Sequence, residues 1–419
     1  MPLPCRALPP MRPVRQRLPA EHISDARADV REKLAASGLL RKVQPGQRIA
    51  VTAGSRGIGG LIDLLSGIVD VVRALGAEPF IIPAMGSHGG ATPEGQTEIL
   101  KRLGVTGDSV GAPVRATMET RPLGDSHNGA GAHFDRLAAE ADGTIVLCRT
   151  KTHPESAGEL ASGLLKMSTI GLGKQVGAHQ AHSHGLWDSV RAVPRLQLAL
   201  GNILCGVAVV ENGYRQPCAI EAVAPSYDAF LEADTRLLRL AKDHLAQIPF
   251  DNLDVLIVDE LGKTVSGAGM DPNVIGLWRV SRDAPHRPDF RRIVVLSLTH
   301  PSLGNGLGIG MADFTTRRFA DSYDAVVSYI NLLTASEPGG NTHEGPLPLA
   351  LGSDREAIEV ALFSSLAGPA PRVCRIRNTA RLDDLWVSES LLEEVDRTAN
   401  LERADANTTM QFDEAGNLF

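Results

Sequence analysis

The stretch RIAVTAGSRGIGGLIDLLSGIVDVVRALGAEPFIIPAMGSHGG (48–90) decides the fold class. It opens on RIAVTAG (48–54), a short apolar and β-branched run suited to a strand buried on both faces of a parallel sheet. A glycine-rich stop follows, and then LIDLLSGIVDVVRALGA, where Ile62, Leu65, Val69 and Val72 recur at helical spacing. PFIIPAMG (79–86) is the next strand, and it too runs into a glycine loop, GSHGG (86–90). Strand, glycine turn and amphipathic helix in alternation predict a parallel α/β sheet.

The same order continues outward. TPEGQTEILKRLG (92–104) reads as a helix with Thr92 as N-cap, and GTIVLCR (143–149) and NILCGVAVVEN (202–212) read as strands. Between those strands, 153–185 is too rich in glycine and histidine for plain helix and reads as a site. After a helix at about 226–247, the Pro249-Phe250 break starts a second unit with strands DVLIVDE (254–260), IVVLSL (293–298) and DAVVSYI (324–330), the last two separated by GLGIG (306–310) and a helix through 312–321. Residues 335–346 read as loop and 354–368 as helix. The expected architecture is two α/β domains with mostly parallel sheets and an active-site cleft between them: 1–248, carrying the cofactor and catalytic loops, and a smaller 249–419 whose last residues pack back or stay disordered.

Composition narrows the function. With 419 residues, 22% charged, 43% hydrophobic and a net charge of −7, the chain offers no basic excess for a nucleic acid. No apolar run is long enough to span a bilayer and the start lacks the apolar core of an export signal, so the expectation is a cytoplasmic protein with no membrane partner. Five cysteines without a C-x-x-C pair argue against a disulfide framework or a zinc ribbon. Half of the 42 glycines fall in five short stretches, 54–60, 86–95, 158–177, 262–276 and 304–310, where backbone is expected to approach a ligand.

Two familiar motifs are only approximate. VTAGSRGIGG (51–60) is close to the short-chain dehydrogenase fingerprint, but Ala53-Gly54 breaks its order and no tyrosine has a lysine four residues on. Gly262-Lys263-Thr264 resembles half a P-loop whose first glycine is replaced by Ile257. What remains is a turn presenting Ser55, Arg56 and backbone N–H groups at the carboxyl end of a strand, a place for an anion. His88, held between glycines in GSHGG, reads as catalytic or ligating rather than as core.

KTHPESAGELASGLLKMSTIGLGKQVGAHQAHSHG (151–185) gathers four of twelve histidines and three lysines. His179, His182 and His184 fit no zinc spacing and read as one ligand among bystanders. Lys166 lies among Leu165, Met167 and Ile170, where an ammonium is costly unless it is paired, neutralised or covalently used. In the second domain, DELGKTVSGAGMDPN (259–273) places Glu260 and Lys263 at another strand end, opposite Arg56, His88, His153 and Lys166 in the expected cleft.

From about residue 45 to 385 these loops resemble the nickel-dependent lactate racemase family. The resemblance implies two α/β domains enclosing a nickel-pincer nucleotide made from nicotinic acid. That cofactor takes a hydride from the α-carbon of a 2-hydroxy acid and returns it to the other face. It implies His88 and His153 as the catalytic pair alternating as base and acid on the hydroxyl. Lys166 would be the cofactor-linked lysine, His182 the nickel ligand, and Lys263 and Glu260, with Arg56, the substrate contacts. Ser55, Arg56, Gly57 and Met167 would line the cofactor. The partners implied are a small anionic hydroxy acid and the proteins that build the cofactor.

The chain departs from the family at Ala53, where better-known members carry aspartate, and at Glu260, where they carry glutamine. The loop between His153 and Lys166 is also longer. A hydroxy acid larger or more polar than lactate is therefore as fitting a substrate. Chemistry points the same way: reaching both faces of one carbon takes two exchangeable acid–base groups, and hydride removal needs a sink that no side chain supplies. The alternatives are a hydroxy-acid lyase or dehydratase with another metal, and a non-catalytic binding protein for an anionic nucleotide or acid.

Overall fold

A computed structural model describes residues 3–153, 158–281, 284–335, 342–404 and 410–418. Its first strands are β1 (Met11–Gln16), β2 (Arg48–Ala53), β3 (Glu78–Pro83), β4 (Thr120–Asp125), β5 (Gly131–Asp135), β6 (Gly143–Arg149), β7 (Ile203–Glu211) and β8 (Pro217–Val223). All but β1 build one compact unit, Pro19–Leu245. Its main sheet has the order β3-β2-β6-β7-β8, parallel except for the antiparallel edge pair β7–β8. β4 and β5 form a separate antiparallel hairpin.

The central strands are apolar runs because both faces are covered. Ile49, Ala50 and Val51 of β2 and Ile145 and Val146 of β6 have no exposure. Thr52 is tolerated there because its Oγ1 donates to the Leu147 carbonyl at 3.1 Å and accepts from the Leu147 N–H at 2.9 Å. On one face, the helix Leu61–Ala74 buries Leu61, Leu64, Leu65, Ile68, Val69 and Val72. Ile62, expected inside, is 36% exposed, so the buried stripe begins one residue earlier. Gly67 lets the neighbouring helix Ala26–Ser37 close in: a Cβ there would lie 2.4 Å from Val30 Cγ1.

The second unit comprises Ala246–Phe419 together with Met1–Leu18. Its further strands are β9 (Asn252–Leu261), β10 (Asp289–Leu298), β11 (Phe314–Thr316), β12 (Leu349–Leu351), β13 (Val373–Asn378), β14 (Arg381–Ser388) and β15 (Leu401–Arg403). They make one sheet ordered β12-β11-β10-β9-β13-β14-β1-β15, parallel from β12 to β13 and antiparallel beyond. The domain expected at 1–248 thus loses its first 18 residues to the other unit. β1 buries Met11, Val14 and Gln16 and pairs Met11 with Ser388, a partner no local reading of an Arg- and Pro-rich start can find.

Three further expectations change. Residues 324–330 are not a strand: Asp324 Oδ1 accepts from the Val327 N–H at 3.0 Å and starts the helix Ala325–Ala335, so a local cap overrides the β-branched composition. Within 312–321 the chain first runs as β11 beside β10, and only then turns helical at Arg317–Ser322, capped by Thr316. Of the two expectations for the tail, packing back rather than disorder holds at its described end. Leu418 is 9% exposed and its N–H donates to Asp354 Oδ2 at 2.8 Å. No helix among the described residues is long and apolar enough to cross a membrane.

Candidate active site

In the first unit the strand order places β3 on one side of β2 and β6 on the other. The connections leaving β2 and β6 therefore diverge, and open α/β sheets bind ligands beyond the carboxyl ends of strands at such a point. The segments there are 54–60 after β2, 84–92 after β3 and 150–153 after β6, and they carry Ser55, Arg56, Gly57, His88 and His153. Pro154 of the quoted K-T-H-P motif lies outside the described residues.

The first loop is held from below. Glu211, the last residue of β7, accepts from the Gly59 N–H at 2.7 Å with one oxygen and from Arg149 Nη1 at 2.5 Å with the other. Gly57 has φ 68° and so makes the turn that a side chain would strain. Arg56 is exposed, and desolvation together with the charge of Arg149 pushes its pKa below the usual guanidinium value. Met167 reaches this loop from another element, with its Cε 3.3 Å from where a Cβ on Gly54 would stand.

Ser55 Oγ and His88 Nδ1 are 2.5 Å apart, so the β2 and β3 loops meet through one hydrogen bond. That contact orients the His88 ring. The His88 loop presses on the helix Pro93–Arg102: a Cβ on Gly89 would lie 2.5 Å from the Gly95 carbonyl carbon, and one on Gly95 only 1.9 Å from the Gly89 oxygen. Thr92 caps that helix as expected. Gln96 is fully buried rather than lying on its outer face.

His153 and Lys166 share a wall made by Trp187, whose ring stands edge-on to His153 with centroids 5.1 Å apart and lies 5.7 Å from Lys166 Nζ. Desolvation holds the His153 pKa well below its ordinary 6.5, and the charges of Lys166, Lys151, His182 and Arg56 push the same way. That set gathers five of the cationic or imidazole groups singled out from one face of the sheet. His179 and His184 are exposed, and His184 Nδ1 lies 2.9 Å from the Gln180 carbonyl, so of the three clustered histidines His182 alone acts electrostatically on His153. Among the described residues no three His, Cys, Asp or Glu side chains converge to hold a metal ion by themselves.

Lys166 sits where a helical run changes pitch. Leu164–Lys166 is an α-turn, Met167–Leu172 a π-helix, and Lys174–Ser183 an α-helix again. Such bulges recur at functional sites because they re-aim side chains. The start of this run is anchored by Asp234, whose carboxylate accepts from the Leu164 and Leu165 N–H groups at 2.7 and 2.9 Å. Gly163 admits that carboxylate; its Cβ would lie 2.2 Å from Asp234 Oδ1. Burial raises the Asp234 pKa to about 6 despite both hydrogen bonds.

The cost of a buried ammonium, read onto Lys166 from its apolar flanks, falls instead on Lys174. Lys166 is half-buried, whereas Lys174 has no exposure and pairs with Asp135 at 2.9 Å. Arg149, Glu211, Asp234, Lys174 and Trp187 all pack behind or beside these residues, and four of the five do not stand out in the sequence. Only Lys174 left a signal there, as a lysine inside the glycine-rich GLGKQ.

In the second unit the central strand is β9, with β10 and β13 on its two sides. Glu260 lies at its end and is engaged: Oε1 accepts from Arg377 Nε at 3.1 Å and Asn378 Nδ2 at 2.8 Å. Lys263 follows in the next loop and donates to the Gly267 carbonyl at 2.6 Å.

No protein-family profile matches this chain, and no curated protein matches it in sequence. In three dimensions it is similar to a protein of known crystal structure from Thermotoga maritima, with a TM-score of 0.52 and 12% identity over 87% of this chain and 99% of that one. At that identity the likeness is one of fold, and the class it defines with the sheets described is an α/β protein with large, mostly parallel sheets.

Proposed function

We propose that the chain is a racemase or epimerase of a small anionic 2-hydroxy acid, working with a nickel-pincer nucleotide in the first unit. The observation that supports this best is the setting of His153, where Lys166, Lys151, Arg56 and His182 crowd one imidazole while His88 is delivered from a separate strand. Two histidines on separate loops suit an acid–base pair that must serve both faces of one carbon. A cationic surround suits a carboxylate.

A metal held at His182 would take its other donors from the bound group, since no three His, Cys, Asp or Glu side chains converge among the described residues, and Lys166, in the same helical run, would be the point of covalent attachment. When bound, that group supplies the acceptor and donor of hydride at the α-carbon. The chain's own residues do the rest. Arg56, Ser55, Gly57 and Met167 border its place, and His88 and His153 take and return the hydroxyl proton. His153 enters neutral, because burial and its cationic neighbours disfavour its protonated form. A substrate carboxylate would offset those charges and lift its basicity at the moment of binding. Lys263 and Glu260 belong to the second unit, where Glu260 is tied to Arg377 and Asn378.

Protein made together with the cofactor-building enzymes should carry an added mass on Lys166. It should also wash deuterium into the α-position of single-enantiomer hydroxy acids. His88→Ala and His153→Ala should each abolish that exchange. An unmodified chain that turns over hydroxy acids after zinc or magnesium addition would favour the lyase or dehydratase. Ligand affinity surviving His88→Ala, without any exchange in the parent, would favour a binding protein.

A further inference from the structure

Beneath the His88 loop lies a fully buried polar assembly built from Lys174, Asp135 and Gln96, each with no exposure. The Lys174 ammonium donates to the Pro83 carbonyl at 2.5 Å and to Gln96 Oε1 at 3.2 Å, and is ion-paired with Asp135 Oδ2 at 2.9 Å. Pro83 ends β3, so the ammonium grips the strand at the point where the His88 loop departs. Gln96 passes the grip on. Its Nε2 donates to the Gly86 carbonyl at 2.8 Å and to the His88 carbonyl at 3.2 Å.

We infer that Lys174 and Gln96 are positioning residues for His88, acting through a relay from the buried ion pair to the loop's own carbonyls. The residue types explain themselves. An ammonium only donates and a carbonyl only accepts, so the side chain between them must accept at one end and donate twice at the other, and an amide of glutamine length does both. A carboxylate there would satisfy Lys174 and remove the Gln96 donor from the Gly86 and His88 carbonyls. An apolar side chain would satisfy neither.

The same lysine ties the loop to the rest of the site. Lys174 opens the helix that carries His182 and follows the π-helix that begins after Lys166, and it takes a positive φ of 55° to enter the core. Gly86 and Gly171 let these elements touch: a Cβ on Gly86 would lie 3.0 Å from Ile170 Cγ2, and one on Gly171 would lie 3.0 Å from the Ala84 carbonyl. A rotation of the His88 loop therefore has to break hydrogen bonds in a region that water does not reach. The inference deepens the proposed function and rests on it for the consequence to turnover alone.

The test is NMR of protein labelled at histidine with 13C and 15N, with the His88 ring assigned by its loss in His88→Ala. Gln96→Met removes the relay at both ends, and Gln96→Glu keeps the acceptor for Lys174 while removing the donors to the loop. Val30→Ala, an apolar deletion in the helix Ala26–Ser37 of the same unit, serves as a control for lowered stability. The expected result is that the His88 resonances shift in both Gln96 variants and hold their place in Val30→Ala. Both Gln96 variants losing stability while His88 keeps its parental shifts would overturn the inference, and Gln96→Glu decides alone if Gln96→Met does not fold. Because the readout is a ring shift, a parent without α-hydrogen exchange would sink the proposed function and leave this result standing.

Discussion

The two units present the same topological feature and use charge in opposite ways. At the end of β2 and β6 in the first, Lys166, Lys151, Arg56 and His182 all act on His153 with the same sign. At the end of β9 in the second, Asp259 is held by Arg375 through bonds of 2.8 and 3.1 Å, and Glu260 by Arg377 and Asn378. One edge concentrates like charge; the other matches acids with arginines. Like charge is costly to collect, and the elements that carry it are held by Lys174 paired with Asp135, by Arg149 paired with Glu211, and by Asp234 on two backbone amides. Topology alone thus does not make a ligand site. The charges collected at a strand end differ between the two units even where the topology is alike.

The contrast fails most visibly if the supports prove dispensable. Lys174→Met leaves Asp135 buried without its partner and should cost about 3–5 kcal/mol in urea unfolding, with much of that recovered in Lys174→Met/Asp135→Asn. A loss below about 1 kcal/mol would make the pair an ordinary surface-strength contact.

Asp234 offers the next largest effect, through pH. Its folded pKa of about 6 lies above the ordinary 3.8, so the folded state holds the proton more tightly. Its contribution is fully present below about pH 4 and is lost as pH rises through 6, a fall of about 3 kcal/mol. Subtracting the pH–stability curve of Asp234→Asn from that of the parent should isolate this slope.

His153 runs the other way. Its folded pKa is depressed, so what it contributes is present above its ordinary 6.5 and is lost as pH falls through the folded value. An NMR titration should find the ring neutral at pH 6. Lys166→Met should move the pKa back toward 6.5 without reaching it, because burial is the larger cause. The smallest effect belongs to the second edge. Glu260→Gln should change stability by no more than about 1 kcal/mol, since Arg377 is largely solvated and Asn378 can bond an amide as well as a carboxylate.

Much of the first sheet was legible in residues 48–90, because a central parallel strand must be apolar on both faces and its exit must be glycine-rich. Ser55 and His88 could be placed in loops at strand ends for the same reason: polar groups beside glycines there have no core role to fill. The swap of β1 into the second unit was not legible, since its partners lie more than 370 positions away at Val387 and Ser388. The helix Ala325–Ala335 was misread because composition was weighed above one capping aspartate.

By itself the sequence determined the alternation of strand, glycine loop and helix, and hence which loops leave the carboxyl ends of the strands. Those are properties of spacing and of backbone freedom at a few positions. Tertiary structure alone decided which charges meet. Lys166 and Lys174 are eight residues apart in one glycine-rich run, yet one faces Trp187 at the site and the other fills a sealed core with Asp135 and Gln96. Burial sets the strength and the cost of every charge, and burial is a property of distant segments brought together, which no local pattern records.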